Sequence, residues 1–224
     1  MKRPAASPGR RPGEGIAVYA RSTTIITEPT AVDRGIAYVR DEVVPAIQAM
    51  PGCIGFSVLA DRAAGRCITT TSWESEEAMR ASADRVIPLR TRAAEIMGGS
   101  PPLVELWEIA SMHRAHHTEP GTCVRAAWSR VPVPKVETAL DFYKIRLLPQ
   151  IEQLDGFVSA SLMVDRSTGH AVTSVAFESR EAMEGTRDQA DYLRAASTNE
   201  ASVEFLDVAE FELVLAHLHV PELV

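Results

Sequence analysis

Residues 16–27, IAVYARSTTIIT, are rich in β-branched side chains and predict a first strand. The apolar period then lengthens. Ile36, Val39, Val43, Ile47 and Met50 fall on one stripe of a helix over residues 31–50, with Thr30 and Asp33 as its start signal and Pro51-Gly52 as its stop. Pro45 lies inside that stripe and is expected to kink the helix or reset its last turn. Alternation returns at 54–61, where Ile54, Phe56, Val58 and Ala60 share a face. The turn Asp61-Arg62-Ala63-Ala64-Gly65 leads into a third strand over 66–73. Ser75 is an N-cap residue, and Glu76 and Glu77 sit where a helix dipole favours acid. That second helix is predicted to run to Met97 with a break near Pro88; Gly98-Gly99 cap it, and a fourth strand follows over 103–111.

The same pattern is written twice. PAIQAMPGCIGFSVLADRAAGRCITTTSWESEEAM at 45–79 aligns without a gap to PQIEQLDGFVSASLMVDRSTGHAVTSVAFESREAM at 149–183, a shift of 104 positions. The register pairs Gly52 with Gly156, Gly65 with Gly169, Arg21 with Arg125, Glu108 with Glu212 and His113 with His217. The chain is therefore read as a duplicated domain: 16–113, a linker at 114–120, and 121–219. Each copy has the order βαββαβ, the ferredoxin-like plan of an antiparallel sheet with two helices on one face. Both parities of strand 66–73 are largely apolar or small, so the bare faces of the two sheets are expected to pack together. The fold class is α+β, a pseudo-dimeric barrel within one chain.

Composition narrows the function. The 224 residues carry a net charge of −7, which argues against nucleic acid as the partner, because phosphate binding needs a basic face. No apolar run is long enough to span a membrane. Cys53, Cys67 and Cys123 are odd in number and follow no metal or redox spacing, so free thiols in a reducing cytoplasm are expected. The first 15 residues are basic, rich in Pro and Gly and without an apolar core, and read as a disordered tail rather than a signal peptide.

Pro-Gly after helix one, the hairpin D-R-x-x-G, and a strand ending in Trp73-Glu74-Ser75-x-Glu77-Ala78-Met79 resemble the antibiotic biosynthesis monooxygenase family, of the dimeric α+β barrel superfamily. The resemblance covers both repeats. It implies a cofactor-free monooxygenase that holds a small aromatic or polyketide-type substrate, with molecular oxygen as co-substrate, in an apolar pocket between sheet and helices. Neither metal nor cofactor is implied. The haem-degrading branch of the superfamily is disfavoured, because 80–84 and 184–188 contain no histidine and the first strand lacks the branch's asparagine. The alternative is a non-catalytic small-molecule-binding or structural barrel.

Candidate catalytic residues are Trp73, where the family places a pocket tryptophan, Arg21, which would stabilise an enolate or phenolate, and His113 as a base. Candidate pocket walls are Tyr19, Tyr38, Phe56, Trp107, Arg125 and Phe177, the first-half pocket with Trp73 being favoured. Each has a structural reading beside it. Trp73 and the other aromatics fit a core. Arg21 with Glu108, and Arg125 with Glu212, fit cross-strand ion pairs. His113, with His116, His117, His217 and His219 nearby, fits a linker or an interface. Trp128, Phe142 and Tyr143 are further aromatics at core-like spacing. The pairing of halves makes an intramolecular pseudo-dimer; further homo-oligomerisation is left undecided by the sequence.

Overall fold

The computed structural model describes residues 17–116 and 121–223. The basic tail and His117, with most of the expected linker, lie outside the described residues. Eight strands form one closed barrel: β1 (Val18–Ile26), β2 (Cys53–Asp61), β3 (Arg66–Trp73), β4 (Leu103–Arg114), β5 (Cys123–Arg130), β6 (Phe157–Asp165), β7 (His170–Phe177) and β8 (Glu204–Leu218), in the order β1-β3-β2-β8-β5-β7-β6-β4. Within each half the antiparallel order is that of the ferredoxin-like plan. The halves join where β2 pairs with β8 and β4 with β6, so each half covers both sheet edges of the other. The barrel interior is a shared core. Leu59 and Ile68 of the first half pack with Val124, Ala126, Phe211 and Leu213 of the second.

Helices lie outside the barrel, two stretches per half. In the first half these are α1 (Val32–Tyr38) and α2 (Val44–Gln48), then α3 (Glu76–Ala81) and α4 (Ala83–Met97). In the second they are α5 (Val136–Phe142) and α6 (Leu148–Ile151), then α7 (Arg180–Gly185) and α8 (Arg187–Ala201). Between α1 and α2, and between α5 and α6, one turn is π-helical (Val39–Val43 and Tyr143–Leu147). The cause is the proline at register position 45/149. It has no N–H for the carbonyl four residues back, and the N–H just before it reaches five residues back instead: Val44 to the Val39 carbonyl, Leu148 to that of Tyr143.

Several local expectations change. Pro88 does not break its helix, which runs unbroken through it. The break falls at Ser82, whose hydroxyl donates to the Met79 carbonyl (2.7 Å), and at Thr186 in the second half, which bonds the Met183 carbonyl (2.9 Å). Proline is not the reason, since its mate in the second half is Tyr192. The first helix takes no side-chain cap from Thr30; it enters through a 3-10 turn, Pro29–Ala31. Ser75 and its mate Ser179 do cap, each accepting the N–H three residues on at 3.1 Å. Gly65 and Gly169 adopt φ of +66° and +75° in the two hairpins, and a Cβ at either would strike a backbone carbonyl.

Candidate functional site

The two halves enclose unequal space between sheet and helices. The second half holds an apolar cavity of about 120 Å³, whose walls include Leu140, Tyr143, Leu162, Phe177, Ala190 and Leu193. The first half holds only about 40 Å³ in the corresponding place. Register mates explain the difference. Met97 lies so tightly over Gly35 that a Cβ there would fall on its thioether, whereas the corresponding pair in the second half is Ala201 and Ala139. Val86 is matched by Ala190, and Trp73 by Phe177. Larger side chains fill the first half; smaller ones leave room in the second.

Tyr143 is one of the polar side chains that line the larger cavity, with Arg125, Ser129, Thr173, Arg194 and Ser197. It occupies the position of Val39 in the first half and begins the π turn. Its side chain is buried, and its hydroxyl has no hydrogen-bond partner among the described residues. An unmet buried hydroxyl is costly unless something else occupies its bonding direction. Burial pushes the phenol well above the ordinary tyrosine range, and Glu152 adds in the same direction, so the group stays a neutral donor.

Arg125 also lines this cavity, but its donors are committed. It donates to the Met183 carbonyl (2.6 Å), to Thr186 Oγ1 (3.3 Å) and to Glu210 Oε1 (3.0 and 3.2 Å), and its guanidinium lies 5.7 Å from the Phe177 ring centre. Burial alone would raise the Glu210 carboxyl; hydrogen bonds from Arg187 and Arg125 outweigh it and hold the group below its ordinary range. Ser197 Oγ is spent on the Leu193 carbonyl at 2.8 Å. No Asp, Glu or His lines the cavity among the described residues.

The sequence candidates distribute unevenly over this geometry. Arg125 and Phe177 meet at the second-half cavity. Arg21 lines the smaller first-half niche, where it bonds the Met79 carbonyl and Ser82 Oγ (2.9 Å) and lies 5.9 Å from the Trp73 ring centre. Trp73 is fully buried in a cluster with Val43, Ile47 and Met79, its Nε1 donating to Thr71 Oγ1 at 3.0 Å. Tyr38 packs against the same cluster. Trp107 is core, with its Nε1 bonded to Ser22 Oγ at 2.9 Å. Phe56 stacks on His217, 5.9 Å between ring centres, and Tyr19 lies opposite Glu108. His113 is not on a linker but on β4. It sits between Glu152 (3.3 Å) and Glu222 (3.4 Å) and against Phe157, away from the cavity walls.

The expected ion pairs of Arg21 with Glu108 and Arg125 with Glu212 do not form. The true cross-strand partners stand two residues earlier, Leu106 and Glu210. Glu108 and Glu212 instead bind Arg166 and Arg62 of the opposite half. Sequence reasoning placed Tyr143 only among general core aromatics. The usable signal was a tyrosine on the apolar helical stripe where the other copy has valine.

The antibiotic biosynthesis monooxygenase profile matches residues 21–86. The chain is 57% identical over 211 residues to uncharacterized protein Rv2557 of Mycobacterium tuberculosis (strain ATCC 25618 / H37Rv), covering 94% of each chain. It is 53% identical over 215 residues to uncharacterized protein Rv2558 of the same strain, covering 96% of this chain and 91% of the relative. Among solved structures it is similar to an anthrone oxidase-like protein, with a TM-score of 0.66 at 17% identity over 91% of this chain and 94% of that one. It is also similar to a ferredoxin-fold protein of Listeria monocytogenes related to antibiotic biosynthesis monooxygenases, with a TM-score of 0.55 at 9% identity over 89% and 96%. No helix of the described residues is long and apolar enough to cross a membrane.

Proposed function

Because the chain belongs to the antibiotic biosynthesis monooxygenase family, as two tandem copies, we propose that it oxidises a small aromatic or polyketide-type molecule with molecular oxygen, without a cofactor, in the second-half cavity. The observation that supports this reading is the buried Tyr143 hydroxyl, unpartnered among the described residues, on a side chain that lines a largely apolar cavity. A cavity of about 120 Å³ suits one aromatic ring; it is slightly smaller than the roughly 150 Å³ cavity known to take benzene. A multi-ring substrate would need the α5–α8 layer to move outward. The irregular turn at Tyr143 is the natural place for that layer to yield.

The chemistry rests on the substrate. A carbon acid beside a phenol or ketone, once deprotonated, passes one electron to molecular oxygen. The radical pair joins at carbon as a hydroperoxide, and loss of water leaves a carbonyl. In balance, one methylene group and one molecule of oxygen give one carbonyl group and one water. Tyr143 would donate to the substrate oxygen on which the negative charge develops, and the apolar walls would keep water from the intermediate. With no carboxylate or imidazole on the walls among the described residues, the proton leaves to water, which favours substrates that are themselves acidic.

That same lack of a wall base supports a second reading, a binding barrel without turnover. Oxygen uptake by metal-stripped protein, against single-ring phenols, hydroquinones and anthrones, separates the two. Cofactor-free uptake that falls in Tyr143→Phe supports the enzyme. Saturable ligand binding with no uptake and no product supports the binding protein.

A further inference from the structure

The first-half niche differs from its twin in charge as well as in size. Both halves keep the same two arginines, Arg21 and Arg90 in the first and Arg125 and Arg194 in the second, and in each half both line the space under the helices. In the second half each has a carboxylate: Glu210 for Arg125, and Asp191 for Arg194. The first-half residues at those two acid positions are Leu106 and Ile87. Leu106 stands opposite Arg21 on the neighbouring strand just as Glu210 stands opposite Arg125. Among the described residues neither Arg21 nor Arg90 forms an ion pair, and Arg90 Nε is buried without a hydrogen-bond partner. The cations are common to both halves; these two acids are found in the second alone.

We propose that this niche binds a small free monoanion, held between Arg21 and Arg90, whose charge stands in for the carboxylates that the second half supplies. Size limits the ligand. A space of 40 Å³ holds about one water, which admits an ion the size of chloride, leaves nitrate and acetate to be taken only if the walls yield, and is too little for an aromatic acid. Val39, Val43 and Met97 form apolar walls that keep water from screening the charges. Burial, and next the charge of Arg90, pushes the Arg21 guanidinium down from its ordinary value, and burial does the same to Arg90; a bound anion would relieve both. The site is independent of the second-half cavity and of any turnover there.

The test uses the full chain, with ionic strength held constant by a sulfonate buffer too bulky for the niche. Chloride is followed by chlorine-35 line broadening, and acetate and nitrate by titration calorimetry. The expected result is saturable binding of at least one of them with one site per chain, and a melting temperature that rises with its concentration. Arg90→Gln should weaken binding about tenfold or more, by removing one charge-assisted contact. Leu106→Glu should supply the missing carboxylate, abolish the binding, and raise the melting temperature in anion-free buffer. The three anions distinguish a halide from a carboxylate or nitrate ligand. No saturable binding by the wild-type chain, or equal binding by Arg90→Gln, would overturn the proposal whether or not Leu106→Glu folds.

Discussion

Arg166, at the hairpin turn of the second half, forms a two-pronged pair with Glu108 on β4 of the first half, at 2.7 and 2.8 Å. Arg62 and Glu212 form the counterpart with the halves exchanged. Each arginine also takes an acid from the start of its own half's first helix, Glu137 for Arg166 and Asp33 for Arg62. The two seams of the barrel are thus fastened by the same device, used in both directions.

Arg166→Ala loosens one seam. The arginine side chain is 39% exposed, so solvent screens the pair, and the expected loss is about 0.5–1 kcal/mol in denaturant unfolding. The difference from wild type should shrink in high salt. An unchanged difference would mean that lost packing of the arginine stem, not charge, is responsible.

Tyr143→Phe removes a buried hydroxyl that has no protein partner among the described residues. The ligand-free protein should therefore lose no stability and should gain up to about 1 kcal/mol, seen as a higher melting temperature. Ligand binding in the second-half cavity should fall together with that gain. A large destabilisation would show that the hydroxyl is already satisfied in solution.

Glu210 predicts an acid-sensitive step. Its carboxyl is held lower in the native protein than in the unfolded chain, so it contributes stability above the unfolded value of about 4.3 and loses that contribution as pH falls through the native value. Glu210→Gln should cost about 2 kcal/mol at pH 7 and flatten the stability profile below pH ~5. Urea unfolding at a series of pH values tests both. An unflattened profile would assign the acid sensitivity to other carboxylates.

A fragment of residues 16–114 leaves the edges of β2 and β4 unpaired and bares the inner sheet face. It should dimerise or aggregate, which sedimentation velocity would reveal. A well-folded monomer would contradict a core shared between the halves.

The gapless register at a shift of 104 carried the architecture, because matched glycines and prolines fix turns and turns fix strand order. The asymmetry between halves was less legible. It rests on scattered exchanges such as Met97 for Ala201 and Val86 for Ala190, each ordinary alone, whose volumes add only once the helices are in place. The error over Arg21 and Glu108 has a similar origin. Their common register in both copies says that they are equivalent, but not which residue faces which, and the strands pair two residues away from that guess. Tyr143 looked like one aromatic among several, since nothing in its neighbours announces that its oxygen finds no protein partner.

The pairing of β4 with β6 and β2 with β8 has a genetic consequence. In an assembly of two identical chains every codon change appears twice, so a substitution that opens one pocket opens both, and one that strips an acid from one arginine strips it from its twin. Joining the copies lifts that constraint. One lobe could lose its acids while the other kept them and hollowed out around Tyr143, and selection could act on each separately.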